Sequence, residues 1–253
     1  MSVIWILGAS GFIGQRIKDF FPTDTEVHLI SHTNKEWDLI PRPNCVVNLA
    51  SSPPDANEET SIVANYMFPK SIFNYLESND EEKIKWVQAA SYFELQCEYG
   101  RNDFYSLHKL KFRKWLTFQN ESKEFALVNI FLPHIFGPGE RNNRLIPTAK
   151  STFQKNEEFV TSSGQQFIPI LHVNDACTAI VAATKSSQSN CSALPIWYGM
   201  VKDLVQIIHS GIGSGSIKID AKRHSVDEHY PKVSFPDKVN GWSANHCLNS
   251  IFD

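Results

Sequence analysis

Residues 8–14 read Gly8-Ala9-Ser10-Gly11-Phe12-Ile13-Gly14, with three glycines at three-residue spacing. The apolar residues 3–7 come directly before this motif and predict a buried strand, while the apolar spacing in residues 12–21 predicts an amphipathic helix. Glycines between a strand and a helix allow a tight turn and a close approach of the backbone to a pyrophosphate group, near the free N–H groups of the helix start. An ordinary glycine-rich turn is the alternative, but the flanking strand and helix favour a dinucleotide site.

Strand-like and helix-like segments alternate around this motif. Short segments rich in β-branched or aromatic residues predict strands at residues 3–7, 26–31, 45–50, 84–89, 125–131 and 167–172. Apolar residues at three- and four-residue steps predict helices at residues 12–21, 62–76, 105–118 and 174–184. This alternation is typical of an α/β fold, a Rossmann-type doubly wound parallel sheet with helices on both faces.

The regular alternation ends near Pro133, where residues 134–144 are rich in Gly, Pro, Asn and Arg. We therefore expect a small C-terminal substrate-binding lobe that grows out of the later loops. The predicted division is a dinucleotide-binding core of residues 1–132, to which residues 167–185 return, and a lobe of residues 133–166 and 186–253.

Length, composition and charge exclude several classes of protein. The 253 residues are 42% apolar, enough to bury a sizeable core. The formal charge of −3 lacks the basic excess that nucleic-acid binding usually requires. Five cysteines without a C-x-x-C pair favour a reduced protein without structural zinc. The apolar start is too short for a signal peptide, and no segment approaches the roughly 18 apolar residues of a membrane span. These features predict a soluble, cytoplasmic protein with neither a nucleic-acid nor a membrane partner and no metal.

The residues about 20 positions beyond the glycines should decide which dinucleotide binds, because an acid there accepts a hydrogen bond from the ribose 2′-OH of NAD. The predicted second strand ends instead in Ser31 and His32, followed by Thr33-Asn34-Lys35, and Arg16 lies in the first helix. Hydroxyl and cationic groups suit a 2′-phosphate, so we expect NADP, with NADPH preferred over NADH. The alternative is that His32 and Lys35 merely face water. Asp38 is a separate candidate for binding the adenine amino group.

Tyr105 and Lys109 are four residues apart, which places the phenol and the ammonium group on one face of a helix. A cation beside a phenol favours its ionised form, and this suits the phenol for proton transfer at neutral pH. Such a pair arises easily by chance, and the alternative is a tyrosine packed on the sheet beside an exposed lysine. Ser91, near the end of a predicted strand, and the upstream glycine motif favour a catalytic role for all three.

These residues resemble the extended branch of the short-chain dehydrogenase/reductases, the NAD-dependent epimerase/dehydratase family, over most of residues 1–185. Ser91, Tyr105 and Lys109 match its catalytic triad. Phe136-Gly137-Pro138-Gly139 and His172-Val173-Asn174-Asp175 resemble its Y-G-P-G and Y-V-D-D segments. The resemblance implies a nicotinamide cofactor, a nucleotide-sugar substrate and a homodimer as a candidate assembly.

Motifs and resemblance together assign three sets of residues. The catalytic residues are Ser91, Tyr105 and Lys109. The cofactor-binding residues are Gly8, Ser10, Gly11, Phe12, Ile13, Gly14, Arg16, Ser31, His32, Asp38, Leu49, Ala50, Ser51, Asn65, Tyr105, Lys109, Pro133 and Ile135. The substrate-binding residues are Ser91, Tyr92, His134, Arg141 and Arg144. Arg141 and Arg144 replace a phosphate-binding arginine of the family, since this chain has Ile168 there, and each could pair with a diphosphate. Solvated surface arginines are the alternative.

Departures from the family narrow the expected reaction. Members that dehydrate the sugar carry Asp-Glu directly after the catalytic hydroxyl residue, where this chain has Tyr92 and Phe93. Sugar epimerases have a longer, proline-rich connection than residues 92–104, which contain no proline. With His134, these features most resemble nucleotide-sugar 4-ketoreductases such as CDP-abequose and CDP-paratose synthases, enzymes of lipopolysaccharide O-antigen deoxysugar biosynthesis. We expect NADPH-dependent reduction of the 4-keto group of a nucleotide-linked 4-keto-6-deoxyhexose. An NAD-dependent 4-epimerase and a non-catalytic, cofactor-bound protein are the alternatives.

Overall fold

The computed structural model describes residues 2–33, 37–78, 83–123, 125–219 and 230–253. These residues contain eleven strands and eight α-helices. The strands are β1 (Ser2–Leu7), β2 (Thr25–Ile30), β3 (Cys45–Asn48), β4 (Lys85–Ser91), β5 (Ala126–Leu132), β6 (His134–Phe136), β7 (Glu158–Thr161), β8 (Phe167–His172), β9 (Asn190–Ser192), β10 (Trp197–Met200) and β11 (Ser216–Ile219). The helices are α1 (Gly14–Ile17), α2 (Glu58–Ile62), α3 (Phe68–Ser78), α4 (Tyr92–Leu95), α5 (Phe104–Lys123), α6 (Leu145–Gln154), α7 (Val173–Lys185) and α8 (Val201–Ile212).

The central sheet has six strands in the order β2-β1-β3-β4-β5-β9, and each runs parallel to its neighbours. Successive side chains of β1 enter two separate cores, as the strand pleat requires. Ile4 and Ile6 pack with α7, whereas Trp5 and Leu7 pack with α3 and α5. Helices therefore cover both faces of a parallel sheet, and the predicted Rossmann-type α/β fold is confirmed.

The predicted helices on either side of the site are less regular than their spacing suggests. The helix predicted at residues 12–21 is the single turn α1 followed by a 3-10 turn, Lys18–Phe20. It stops there because Pro22 disfavours a helical Phe21, which is extended. The helix predicted at residues 62–76 is α2 and α3 joined by a π-helical turn, Val63–Met67.

A smaller body packs beside the central sheet around its own core. Strands β10, β8 and β6 form one small sheet, β11 and β7 form another, and α6 and α8 supply apolar side chains such as Phe153 and Val205. The segment expected to return to the core divides between the two bodies. Strand β8 pairs with β6 and β10, whereas α7 packs on the central sheet. Strand β9 lies in the stretch predicted to belong to the lobe, but it joins the edge of the central sheet.

Other chemical features of the described residues are few. All five cysteines are free, and burial raises the pKa of Cys45 and Cys177 to about 12. Among the described residues, no group of three or more His, Cys, Asp or Glu is arranged to hold a metal ion. In the same residues, no helix combines the length and the apolar character needed to cross a bilayer.

Candidate active site

A cleft of about 880 Å³ opens at the carboxyl ends of the central strands. Its walls come from the segments that follow β1, β2, β3, β4 and β5, which is where ligands bind in open α/β sheets. Most of the predicted site residues line it. They are Gly8, Ser10, Gly11, Phe12, Ile13, Gly14, Ser31, His32, Leu49, Ala50, Ser51, Ser91, Tyr105, Lys109, Pro133, His134, Ile135, Arg141 and Arg144.

The glycine turn leaves no room for side chains. Gly8 has a φ of +81°, and a Cβ there would lie 2.7 Å from the backbone of Ala50 at the end of β3. A Cβ on Gly14 would lie 2.3 Å from the carbonyl oxygen of Gly8. The turn therefore needs glycine at these positions, and it presents bare backbone to the cleft. This arrangement fits the pyrophosphate of a dinucleotide.

Buried amides fix the loop that follows β3. The Asn48 side chain donates to Gln88 Oε1 over 2.8 Å and accepts from the backbone N–H of Ala50 over 3.0 Å. Asn65, in the π-helical turn, accepts from Ser52 N and donates to Ser52 Oγ. Ala50 and Ser52 line the cleft, whereas Asn65 lies behind it. Asn65 therefore supports the cleft wall from behind and does not line the cleft itself.

Ser91 is the last residue of β4 and caps α4. Its Oγ accepts from Phe93 N, and its N–H donates to Glu94 Oε1 over 2.8 Å, so the two residues form a capping box. The second oxygen of Glu94 accepts from Arg113 Nε over 2.8 Å, and its side chain is fully buried. The capping box holds Ser91 at the cleft and leaves the Glu94 carboxylate committed to structure.

Tyr105 and Lys109 reach the cleft from the first turns of α5. The ammonium nitrogen of Lys109 lies 5.9 Å from the centre of the Tyr105 ring, and the lysine is only 4% exposed. Among the residues that the structure describes, none accepts a hydrogen bond from this ammonium group. Lys109 lines the cleft, so its ammonium group is available to donate hydrogen bonds to oxygen atoms of a bound ligand.

The end of β2 brings two of the predicted 2′-phosphate residues to the cleft. Ser31 and His32 line it, and Ser31 Oγ lies 2.9 Å from Thr33 Oγ1. Arg16 does not line it, since its guanidinium donates to the backbone carbonyls of Phe12 and Pro138. Asp38 is exposed in a 3-10 turn away from the cleft. Lys35 lies outside the described residues.

On the opposite wall, His134 is held between two charged side chains. Its Nδ1 accepts from Arg144 Nη2 over 2.9 Å, so Nε2 carries the proton and faces Glu140 Oε1 at 3.2 Å. Burial is the main reason that the pKa of His134 is lowered, and Arg144 lowers it further against the opposing effect of Glu140. Arg141 lines the same wall and is exposed.

Tyr92 faces away from the cleft, into the aromatic contacts that join the two bodies. Its hydroxyl pairs with that of Tyr198, which also donates to the carbonyl oxygen of Val233, and its ring stacks on Phe235 at 5.2 Å. The predicted substrate contact is thus placed where it attaches the end of β4 to the C-terminal segment.

The cleft also contains residues that sequence reasoning missed. Phe93 lies edge-on to Tyr105 at 6.5 Å, with the Arg101 guanidinium 4.0 Å from its ring centre. Asp55, Glu59 and Glu140 bring carboxylates to the walls. Only Phe93, two positions after Ser91, and Glu140, directly after the Gly-Pro-Gly segment, had a usable motif beside them.

Residues 4–192 match the NAD-dependent epimerase/dehydratase family, about three quarters of the chain. The chain belongs to this family. Members of the epimerase/dehydratase family are NAD(P)-dependent enzymes that act on nucleotide sugars. No curated protein matches the chain by sequence.

Solved structures share the whole fold at low sequence identity. RMD from Pseudomonas aeruginosa, complexed with NADPH, is 14% identical with a TM-score of 0.80, covering 99% of this chain and 96% of its own. UDP-N-acetylglucosamine 4-epimerase from Methanobrevibacter ruminantium M1, with UDP-N-acetylmuramic acid, is 18% identical with a TM-score of 0.75, covering 99% and 91%. dTDP-glucose 4,6-dehydratase from Bacillus anthracis, with NAD, is 13% identical with a TM-score of 0.73, covering 100% and 96%. These likenesses show the fold of an epimerase/dehydratase family member.

Proposed function

We propose that the protein reduces the 4-keto group of a nucleotide-linked 4-keto-6-deoxyhexose with NADPH. The observation that carries the proposal is the pair formed by Tyr105 and Lys109, which lines the same cleft as the glycine turn. A proton donor and a cation without an acceptor thus share one space with a pyrophosphate-binding turn. This combination suits reduction of a carbonyl group.

In this proposal each side chain has a separate task. When bound, the nicotinamide cofactor supplies the hydride that reduces the carbonyl carbon. Tyr105 gives its proton to the carbonyl oxygen, and Ser91 Oγ donates a hydrogen bond to the same oxygen as negative charge develops there. Lys109 would donate to ribose hydroxyls of the bound cofactor, and its charge would stabilise the phenolate left on Tyr105.

Phe93 and Glu94, two and three positions after Ser91, argue against dehydration of the sugar. Elimination of water needs an acid and a base beside the sugar, and the wall next to Tyr105 is the apolar ring of Phe93. Glu94, one residue further on, is buried and paired with Ser91 N and Arg113. A buried carboxylate with both oxygens engaged is a poor general base for a substrate in the cleft.

A preference for NADPH is supported by the end of β2. Ser31 and His32 offer a hydroxyl and an imidazole to the cleft, and the described residues 31–33 contain no acid that would accept from the 2′-OH of NAD. RMD, a relative in fold, is complexed with NADPH, whereas the dehydratase is bound to NAD.

Stoichiometry separates the reductase from the alternative 4-epimerase. The protein is incubated with NADPH and CDP-, dTDP- and GDP-linked 4-keto-6-deoxyhexoses, and the absorbance of NADPH is followed together with the sugar product. A reductase consumes one NADPH per alcohol formed and gives one configuration at the reduced carbon. An epimerase interconverts two nucleotide hexoses without net cofactor change and leaves the ketosugars untouched.

The panel also tests the non-catalytic alternative. Turnover of any ketosugar excludes a cofactor-bound protein without chemistry. If the purified protein retains NAD and interconverts nucleotide hexoses without added cofactor, the reductase proposal is wrong and the epimerase takes its place. If NADPH binds but no sugar is changed, the non-catalytic alternative stands.

A further inference from the structure

Arg16 joins two segments that are far apart in the sequence. It lies in α1, directly behind the glycine turn, and its Nη1 donates to the carbonyl oxygen of Phe12 over 3.1 Å. Its Nη2 donates to the carbonyl oxygen of Pro138, 122 residues further along the chain. The guanidinium also stacks over the Phe12 ring, 5.2 Å from its centre. One side chain therefore spans the gap between the turn and the loop that follows β6.

The backbone of that loop is shaped to receive the guanidinium. Gly139 has a φ of +79°, and a Cβ there would lie 2.8 Å from Arg16 Nη2. On the other side, a Cβ on Gly137 would lie 2.9 Å from the side chain of Val173 and 3.0 Å from His172 Nε2. The loop is thus packed between Arg16 and the start of α7, and a glycine at each contact makes the close approach feasible.

The loop at residues 137–144 also forms one wall of the cleft. Glu140, Arg141, Asn143 and Arg144 all line the cleft, directly after the residues that Arg16 holds. Glu140 and Arg144 in turn hold His134. Arg16 thus makes a direct contact between the glycine turn and the loop that forms this wall.

We propose that Arg16 is a positioning residue that couples occupancy of the glycine turn to the order of the loop at residues 137–144, and that it does not bind the 2′-phosphate of the cofactor. Its guanidinium is committed to two backbone carbonyls and lies outside the cleft, whereas Ser31 and His32 lie inside it. The consequence for the ketosugar rests on the proposed function, but the coupling itself does not.

Amide hydrogen exchange of residues 137–144, measured with and without saturating NADPH, tests the coupling without any sugar. In the parent protein we expect NADPH to slow exchange in this loop about fivefold or more, the size of a typical coupling between two sites. Arg16→Met should abolish this protection at equal cofactor saturation, and Arg16→Lys should retain part of it because an ammonium group can still donate to a carbonyl. Lys18→Met removes a nearby exposed cation and should behave as the parent.

Cofactor affinity distinguishes positioning from phosphate binding. The dissociation constants of NADPH and NADH, measured by nicotinamide fluorescence, should keep the parental ratio within about twofold in Arg16→Met. A ratio that falls about tenfold or more toward NADH would assign Arg16 to the 2′-phosphate and overturn the proposal. So would loop exchange that ignores NADPH in the parent, or protection that survives in Arg16→Met.

A double-mutant cycle guards against a variant that is merely less stable. Gly139→Ala inserts a Cβ against the guanidinium and should remove the same NADPH-induced protection in the parent background. In the Arg16→Lys background, which keeps part of the protection, Gly139→Ala should cost less than in the parent; the strain of alanine at a φ of +79° is common to both backgrounds, so the difference reports the Arg16 contact. Additive losses in the cycle would mean that the two residues act separately and that Arg16 does not work through this loop. Because the cycle needs no ketosugar, its failure is distinct from failure of the reductase assay.

Discussion

The two walls of the cleft are built in different ways. The first wall, where we propose that the cofactor binds, consists of segments that follow parallel strands, and its shape comes from the local backbone of the glycine turn and from side chains four residues apart on α5. The opposite wall depends on contacts between distant residues. Arg16 reaches Pro138 across 122 positions, and Gly137 packs against His172 and Val173 at the start of α7.

Under the proposed function, the difference predicts which substitutions should affect the reaction and which should affect the order of the cleft wall. A strand, a tight turn and a helix place the glycines, Ser91, Tyr105 and Lys109 with little help from the rest of the chain. The loop at residues 137–144 has no regular structure of its own before α6, so its position comes from Arg16, His134 and the start of α7. Substitutions on the first wall should therefore change rate or cofactor choice, while those on the second should change the order and stability of the wall.

The largest expected effect comes from Tyr105→Phe, which removes a transferable proton and little else. Loss of a general acid typically costs about 10²–10⁴ in rate. We expect kcat for ketosugar reduction to fall by that factor, with the NADPH dissociation constant and the melting temperature close to the parent values. Tyr99→Phe changes an exposed tyrosine outside the cleft and is the matched control. A Tyr105→Phe variant that reduces the ketosugar within tenfold of the parent would remove Tyr105 from its assigned role.

The reach of sequence-based prediction differs between the two walls in the same way. The strands β1, β2 and β5 begin and end within one residue of their predicted bounds, and the glycine turn and the Ser91, Tyr105 and Lys109 group lie in one cleft as the motifs indicate. Arg16 illustrates the opposite case. From the sequence it is a cation near the glycines, and only the packing of Pro138 and Gly139 against it shows where its guanidinium points.

Tyr92 and His134 teach the same lesson from other contacts. Both follow the ends of central strands, where a side chain is expected to face ligand. Tyr92 instead finds Tyr198 and Phe235, and both ring nitrogens of His134 are taken by Arg144 and Glu140. Partners brought together only by the tertiary fold decide these orientations, so no spacing rule within the sequence could reveal them.

An intermediate effect is expected where β2 meets the cleft. Ser31→Asp places a carboxylate at the site proposed for the 2′-phosphate, where it would repel the phosphate of NADPH and accept from the free 2′-OH of NADH. The ratio of kcat/KM for NADPH over NADH should therefore fall about tenfold or more. Ser31→Asn has the same shape without the charge and separates repulsion from size. Equal use of both cofactors by the parent protein would contradict the proposed role of Ser31 and His32.

The smallest expected effect is the pH dependence of the free energy of unfolding that comes from His134, which is held by residues of the second wall. The pKa of His134 is lowered from its ordinary value of 6.5, mainly because burial disfavours the charged imidazole. As the pH falls below about 6.5, the unfolded chain binds a proton at this residue before the folded protein does. The stability that the neutral imidazole contributes is therefore complete above that pH and is lost as the pH falls toward the folded-state pKa.

His134→Gln tests this sign, because an amide can accept from Arg144 and donate to Glu140 without titrating in this range. The free energy of unfolding is measured from urea titrations at pH 7.5 and pH 5.5 for both proteins. One titrating group accounts for at most about 1.4 kcal/mol per pH unit, so the parent should lose about 1 kcal/mol more than His134→Gln between the two pH values. His172 and His108, whose pKa values burial also lowers, contribute equally to both proteins and cancel in the difference. An identical loss in the two proteins would mean that His134 binds protons equally in the folded and the unfolded state. The stability of the second wall would then come from the Arg16 contact and from the packing of the loop on α7.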